Sequence, residues 1–325
     1  MTRATALPAA ARAIVGGDRR ALARALTSVE NGDPASVGLL RALYSRTGRA
    51  PVVGFTGPLG VGKSSLLNAL VGLLRERGES VGILAVDPSS PFSGGSVLGD
   101  RIRLERKADD PGVFFRSMAS RGESGGVAAT TREAARLLDA AGFDHILIET
   151  VGSGQVDVAI REIASTSVVV LVPHLGDEIQ TLKAGMFEIA DVFCVNKADL
   201  PGADAAKRDL ADLVALGTSR EGWAPAIVAT STAERTGISE LWAAIQAHER
   251  FLETSGQRSA DERRRLTHEI VGLVRERVGD ELTDELGRDP DLRRLLDEVV
   301  DRSIDPRTAA NRLYALRGAR STRRR

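Results

Sequence analysis

The sequence predicts an α/β fold: a mostly parallel sheet flanked by helices, with a helical segment before it and a helical arm after it. Three observations predict it. From Pro51 to about Glu249, short apolar runs alternate with helical stretches, the signature of a parallel sheet covered on both faces. The first of these runs leads into the glycine-rich loop GPLGVGKS and then into an apolar helix. Residues before Pro51 and after Arg250 read as helix alone.

Residues 1–48 form the first segment. Apolar positions recur at helical spacing from Arg19 to Ser28, and NGDP, Asn31 to Pro34, breaks that helix. Residues 49–249 form the central domain. Its apolar runs are VVGFTG, SVGILAVDP, DHILIET, TSVVVLVP, DVFCVNKAD and APAIVATS. They are continuous rather than alternating, which suits strands buried on both faces. Helices are predicted between them over Ser64–Arg77, Val127–Ala141, Gln180–Ala190, Ala203–Leu216 and Ile238–Glu249. Residues 250–325 form a charged helical arm with an apolar stripe at Leu266, Ile270, Leu273, Val274 and Val278. That stripe needs a partner surface, on the main domain or on a second subunit. The arm ends in RGARSTRRR, five arginines in nine residues, read as a solvated tail.

Composition narrows the function class. The 325 residues carry 44 Lys plus Arg against 44 Asp plus Glu. Zero net charge argues against a general nucleic-acid or membrane-surface binder. One cysteine excludes an intramolecular disulfide framework and any cysteine-rich metal site. No run of about 18 apolar residues occurs, so no membrane span is expected. Arg12 interrupts the apolar stretch near the N-terminus, so no signal peptide is read and a cytoplasmic location is expected. Only five of the basic residues are lysines. Where arginine is the default cation, a lysine inside a phosphate or base motif is the more informative.

Three motifs carry chemistry. In GPLGVGKS, Gly57 to Ser64, glycines let successive backbone N–H groups turn inward toward phosphate oxygens. The helix N-terminus that follows adds positive partial charge. The nucleotide-contacting set is Gly57, Pro58, Leu59, Gly60, Val61, Gly62, Lys63, Ser64 and Ser65. Lys63 is expected to reach the β- and γ-phosphates, and Ser64 to offer its hydroxyl to Mg²⁺. In NKAD, Asn196 to Asp199, the Asp199 carboxylate can accept from guanine N1–H and the 2-amino group, while Asn196 and Lys197 hold the loop and the base. In ETVG, Glu149 to Gly152, an acidic residue at a strand tip can hold Mg²⁺ through water, and the Gly152 N–H can sense a γ-phosphate. Asp87 ends another strand at the same sheet edge, and Gln155 is the candidate for positioning water. His145, His174, His248 and His268 are scattered and read as ordinary polar residues; Cys194 reads as a small core residue.

The run ILAVDPSSPFSGGSVLGDRIRL, Ile83 to Leu104, makes the chain resemble the MeaB-type GTPases, also described as ArgK-type. FFRSMASRGESGGVA, ILIETVGSGQ, GDEIQTLKAGMFEIADVFCVNKAD and STAERTGISELW extend the resemblance over Pro51 to Trp242. The resemblance implies a phosphate-loop fold of the SIMIBI class, GTP hydrolysis with Mg²⁺, and a homodimer joined through the C-terminal arm. It also implies a G-protein chaperone that gates cofactor loading and protects an adenosylcobalamin-dependent acyl-CoA mutase, methylmalonyl-CoA mutase or a relative. By motif match it places Ser64, Asp87, Asp100 and Glu149 around Mg²⁺, and Ser231, Thr232 and Ala233 on the base-binding loop. Leu59 stands where the family more often has proline, and its side chain is expected to point outward. His174 and Leu175 depart from a glycine-rich stretch in a mutase-facing region, which leaves the particular mutase open.

Three other functions share parts of this pattern. A nickel-enzyme metallochaperone GTPase shares the fold class but usually brings histidine-rich tracts or cysteine pairs, which this chain lacks. A kinase acting on a transport protein would use ATP and has no need of the Asp199 guanine reader. A scaffold would bind nucleotide without turning it over.

Overall fold

A computed structural model describes residues 7–87, 110–119, 124–150, 160–173, 188–215 and 222–322. The chain divides into two compact units, Met1–Glu262 and Arg263–Arg325.

The first unit is built on a seven-stranded sheet. Its strands are β1 (Val52–Thr56), β2 (Val81–Asp87), β3 (Val113–Ala119), β4 (His145–Thr150), β5 (Thr166–Leu171), β6 (Val192–Val195) and β7 (Ala226–Ala229). They run in the order β3-β2-β4-β1-β5-β6-β7, every pair parallel. The central strands are buried on both faces because β-branched and aliphatic residues fill both sides of the pleat. In β4, Ile146 and Ile148 enter one core cluster while Leu147 enters the other. Helices α4 (Lys63–Glu76) and α7 (Ile238–Thr254) cover one face. Helices α5 (Ser124–Ala140) and α6 (Ala203–Ala215) cover the other, joined by the N-terminal helices α1 (Ala9–Val15), α2 (Arg19–Glu30) and α3 (Pro34–Leu43).

The fold class is the predicted one, with one strand more than the apolar runs announced. Strand β3 reads VFFRSMA, and its Arg116 and Ser117 interrupt the apolar run. It can carry them because, among the described residues, it is an edge strand paired with β2 alone. The N-terminal helices guard this edge. Arg19 donates to Pro111 O at 3.0 Å and Val113 O at 2.6 Å, and Arg116 pairs with Glu30. The chain leaving α3 is pinned to α5 by Asp139, whose carboxylate accepts from the N–H groups of Gly48 (2.5 Å), Ala50 (3.1 Å) and Arg49 (3.3 Å). At the amino ends of β5 and β6, buried Asp191 accepts from Ser167 N at 2.8 Å and from Arg161, beside buried His248.

The second unit is helical. Helix α8 (Gln257–Arg288) begins in the first unit and runs on into the second, followed by α9 (Pro290–Val300) and α10 (Pro306–Thr322). Arg312 of α10 pairs with Glu298 of α9, and Leu292 and Leu295 are buried. The stripe read from the sequence is open on α8, where Ile270, Leu273, Val274 and Val278 are exposed. Helix Gln180–Ala190 of the sequence reading falls mostly outside the described residues. Among the described residues, no helix is long and apolar enough to cross a membrane.

Candidate nucleotide site

The candidate site lies at the carboxyl edge of the sheet, where β1, β4 and β6 end. In open parallel sheets this is the edge where ligands bind. Strand β1 ends at Thr56, the loop spans Gly57 to Gly62, and α4 begins at Lys63. Gly57 and Gly62 have φ of 141° and 93°, a region that side-chain-bearing residues rarely adopt. A Cβ at Gly57 would fall 2.1 Å from Val170 O, and one at Gly62 would fall 2.6 Å from Asn196 Nδ2. The glycines are therefore required by close approach as well as by φ. Leu59 is 78% exposed, pointing outward as the sequence suggests.

Lys63 is buried at the head of α4. Its ammonium donates to Gly57 O at 2.7 Å and Pro58 O at 2.9 Å, which lays the charge across the loop. The next residue, Ser64, donates from Oγ to Oε1 of Glu149 at 2.6 Å. Glu149 is buried at the tip of β4. Ser65 follows in the first turn of α4, half-buried. A hydroxyl and a carboxylate are hard oxygen donors, and Mg²⁺ takes one or two such protein groups and keeps several waters. The Ser64–Glu149 pair fits that requirement. Asp87 ends β2 at the same sheet edge. Asp100, Gly152 and Gln155 lie outside the described residues, as do His174 and Leu175.

The NKAD loop leaves β6 and locks onto the phosphate loop. Fully buried Asn196 donates from Nδ2 to Val61 O at 2.8 Å and accepts at Oδ1 from Thr230 Oγ1 at 3.1 Å. Lys197, with φ of 56°, reaches back to Gly60 O at 2.9 Å. Asp199 stands exposed at the rim, and its Oδ1 accepts from Ser231 Oγ at 2.5 Å. Ser231 opens a tight turn closed by paired backbone hydrogen bonds with Thr236. Thr232 and Ala233 sit in that turn, progressively more exposed. Motifs about 130 positions apart in the chain thus meet within hydrogen-bond distance.

Sequence reasoning passed over the threonines that end these strands. Thr230, after β7, orients the Asn196 amide and contacts Cys194 Sγ at 3.2 Å. Thr56 and Thr150 meet beneath the loop. The available signal was a threonine closing each apolar run: VVGFT, HILIET and AIVAT. Cys194 is a core residue as expected, and burial pushes its thiol up to about 12. His145 pairs with Glu79, and His248 lies against Thr166; neither is near the site's loops.

A glycine loop between strand and helix, a buried lysine at the helix start, and an NKAD loop locked onto it define a phosphate-loop nucleotide-binding protein of the GTPase class. The chain belongs to the family described as "Methylmalonyl Co-A mutase-associated GTPase MeaB", whose model matches residues 22–286. It is 46% identical over 298 residues to a GTPase-named protein of Pyrococcus abyssi, covering 91% of this chain and 92% of that one. It is 34% identical over 285 residues to the mouse protein named "Methylmalonic aciduria type A homolog, mitochondrial", covering 82% of this chain and 68% of that one. A crystal structure titled "LAO/AO transport system kinase" matches with a TM-score of 0.69 at 27% identity, over 94% of this chain and 96% of that chain.

Proposed function

We propose that this chain binds and hydrolyses GTP with Mg²⁺ and acts as a G-protein chaperone for an adenosylcobalamin-dependent acyl-CoA mutase, gating cofactor loading and protecting the enzyme. The observation that carries the GTPase reading is the joint between the two loops: Asn196 and Lys197 hold Val61 O and Gly60 O, with Asp199 presented at the rim. A base on Asp199 would then have its phosphates delivered to the loop led by Lys63. The mutase reading is supported by the family description and by the mouse relative's name.

The motifs and the resemblance suggest a role for each residue. The loop N–H groups from Gly57 to Ser65 would line the phosphates, and Lys63 would trade its two carbonyl contacts for phosphate oxygens. Ser64 and Glu149 would hold Mg²⁺, with Asp87 and Asp100 as the further carboxylates that the resemblance assigns to it, and the ion when bound would neutralise charge developing on the phosphates. Gly152 would sense the γ-phosphate and Gln155 would orient water. Ser231 holds Asp199 for the base, with Thr232 and Ala233 lining the base turn. The open apolar stripe of α8 supports a homodimer built on residues 250–325.

Competition binding with GTP, XTP and ATP tests base choice. Asp199→Asn sets an N–H donor against guanine's own donors, losing two charge-assisted hydrogen bonds at a cost of about 3 kcal/mol or more. GTP affinity should fall about 100-fold or more while XTP, with a carbonyl at position 2, gains. ATP should stay a poor ligand for both forms. Wild type that prefers ATP, or a variant with full GTP affinity, would overturn Asp199 as the base reader and favour the kinase function. The mutase half is tested by phosphate release with and without candidate mutases.

A further inference from the structure

Two buried hydroxyls meet where the phosphate loop and the acidic strand tip lie side by side. Thr56 is the last residue of β1 and Thr150 the last of β4. These strands are parallel neighbours, in register up to Phe55 beside Glu149. One step further on, Thr56 and Thr150 are 0% and 1% exposed. Thr150 Oγ1 donates to Thr56 Oγ1 at 3.0 Å and lies 3.5 Å from Phe55 O.

The position of this pair gives it leverage on the site. Thr56 precedes Gly57, the first residue of the loop that hangs from β1 and carries Ser64 into α4. Thr150 follows Glu149, whose carboxylate meets Ser64 Oγ at 2.6 Å. The Ser64–Glu149 contact therefore spans two elements, and its geometry depends on how the ends of β1 and β4 are held together. A hydroxyl bond between the terminal residues holds them there. Groups that orient metal-holding residues in this way tune the metal without touching it.

We propose that Thr56 and Thr150 are positioning residues for the divalent cation: their hydroxyl pair sets the Glu149 carboxylate against the Ser64 hydroxyl and so sets the affinity for the Mg²⁺ that accompanies the nucleotide. This rests on the GTPase reading above and adds two residues to it. The Lys63 ammonium contacts Gly57 O and Pro58 O rather than the threonine hydroxyls, so nucleotide binding without the metal should survive removal of the pair. Valine keeps the β-branched shape at either position and removes only the hydroxyl.

The test measures binding of a fluorescent GDP analogue in EDTA and then across a Mg²⁺ titration, for wild type, Thr56→Val, Thr150→Val, Thr150→Ser and the double valine variant. In EDTA the single variants should bind within about threefold of wild type. Their Mg²⁺ midpoints should rise about tenfold, the low end for residues that orient metal ligands. Thr150→Ser should return the midpoint to that of wild type, because it restores the hydroxyl. The double variant should shift the midpoint by less than the sum of the singles, because both lose the one shared bond. Midpoints unchanged in both valine variants would overturn the proposal. So would a shift that serine does not rescue, or shifts that add in the double variant. Should Thr150→Val fail to fold, Thr56→Val breaks the same bond from the other side. Wild type that binds no guanine nucleotide removes the GTPase reading and this inference with it; wild type that binds, with variants indistinguishable from it, removes this inference alone.

Discussion

Lys63 carries a charge that the loop backbone cannot replace. Its ammonium lies 2.7 Å from Gly57 O and 2.9 Å from Pro58 O, poised over the curl that the glycines create. Charge-assisted hydrogen bonds contribute about 1.5–3 kcal/mol each. Lys63→Ala should therefore lower affinity for GTP–Mg²⁺ by about 100-fold or more, measured by calorimetry with circular dichroism as a check of the fold. An unchanged affinity would refute the phosphate-loop role. Cys194 makes the opposite kind of prediction. Burial pushes its thiol up to about 12, so thiolate is negligible at neutral pH. The folded protein should show no thiol reactive toward an aromatic disulfide reagent at pH 7.5, and one thiol on addition of denaturant. Rapid labelling of the folded protein would mean that the β6 core opens readily.

Elements are held by a few buried polar joints whose loss can be measured. Asp139 collects three backbone N–H groups from the linker after α3, and Asp139→Ala would leave them without that acceptor. The expected loss is about 2–3 kcal/mol in urea unfolding; a loss under ~0.5 kcal/mol would show that the linker repairs itself with water. His248 joins α7 to β5 and β6. Its Nδ1 lies 2.9 Å from Thr166 Oγ1, while its Nε2 is 3.6 Å from Asp191, too far for a hydrogen bond. Burial holds its pKa below the ordinary 6.5, against the pull of Asp191 and Glu249, with Arg161 and Arg258 adding to the depression. The folded state thus binds fewer protons than the unfolded one. This stability is complete above pH 6.5 and falls as pH drops below it, by up to roughly 1.4 kcal/mol per pH unit. Unfolding at pH 7.5 and 5.5 should show a larger acid loss for wild type than for His248→Gln; equal losses would place the pH dependence elsewhere.

At the scale of the whole molecule, the proposals concern partners. Ile270, Leu273 and Val274 are exposed on α8, a surface that a second copy would cover. Deleting residues after Arg250 should give a monomer by light scattering that still binds GTP, and a truncated chain that remains dimeric would move the contact to another surface. Turnover by the isolated protein should be slow, since GTPases commonly need a partner to complete the charge-stabilising shell. The cognate mutase should accelerate phosphate release, and a panel of mutases without effect would count against the chaperone function. Much of this was legible in advance. GPLGVGKS and NKAD were identifiable because each chemistry demands particular residues at fixed spacing, and the buried strands because parallel sheets need unbroken apolar runs. Strand β3 was not, because an edge strand can afford Arg116 and Ser117. Neither were Thr56, Thr150 and Thr230, because a threonine at a strand end has no pattern until its neighbour across the sheet is known.

The sequence by itself determined the fold class, the phosphate loop, the NKAD loop and the helical ends. Each is encoded locally, in a run, a spacing or a glycine that only one backbone path accommodates. Tertiary structure decided which residues meet. Ser64 found Glu149, Asn196 found Val61 O and Thr230, and Asp199 found Ser231, across separations of 32 to 135 residues. Hydrogen bonds reach about 3 Å, and only strand order and register bring such distant residues that close. The sheet order β3-β2-β4-β1-β5-β6-β7 seats β1 between β4 and β5, and so sets the phosphate loop beside Glu149 on one side and against Val170 on the other.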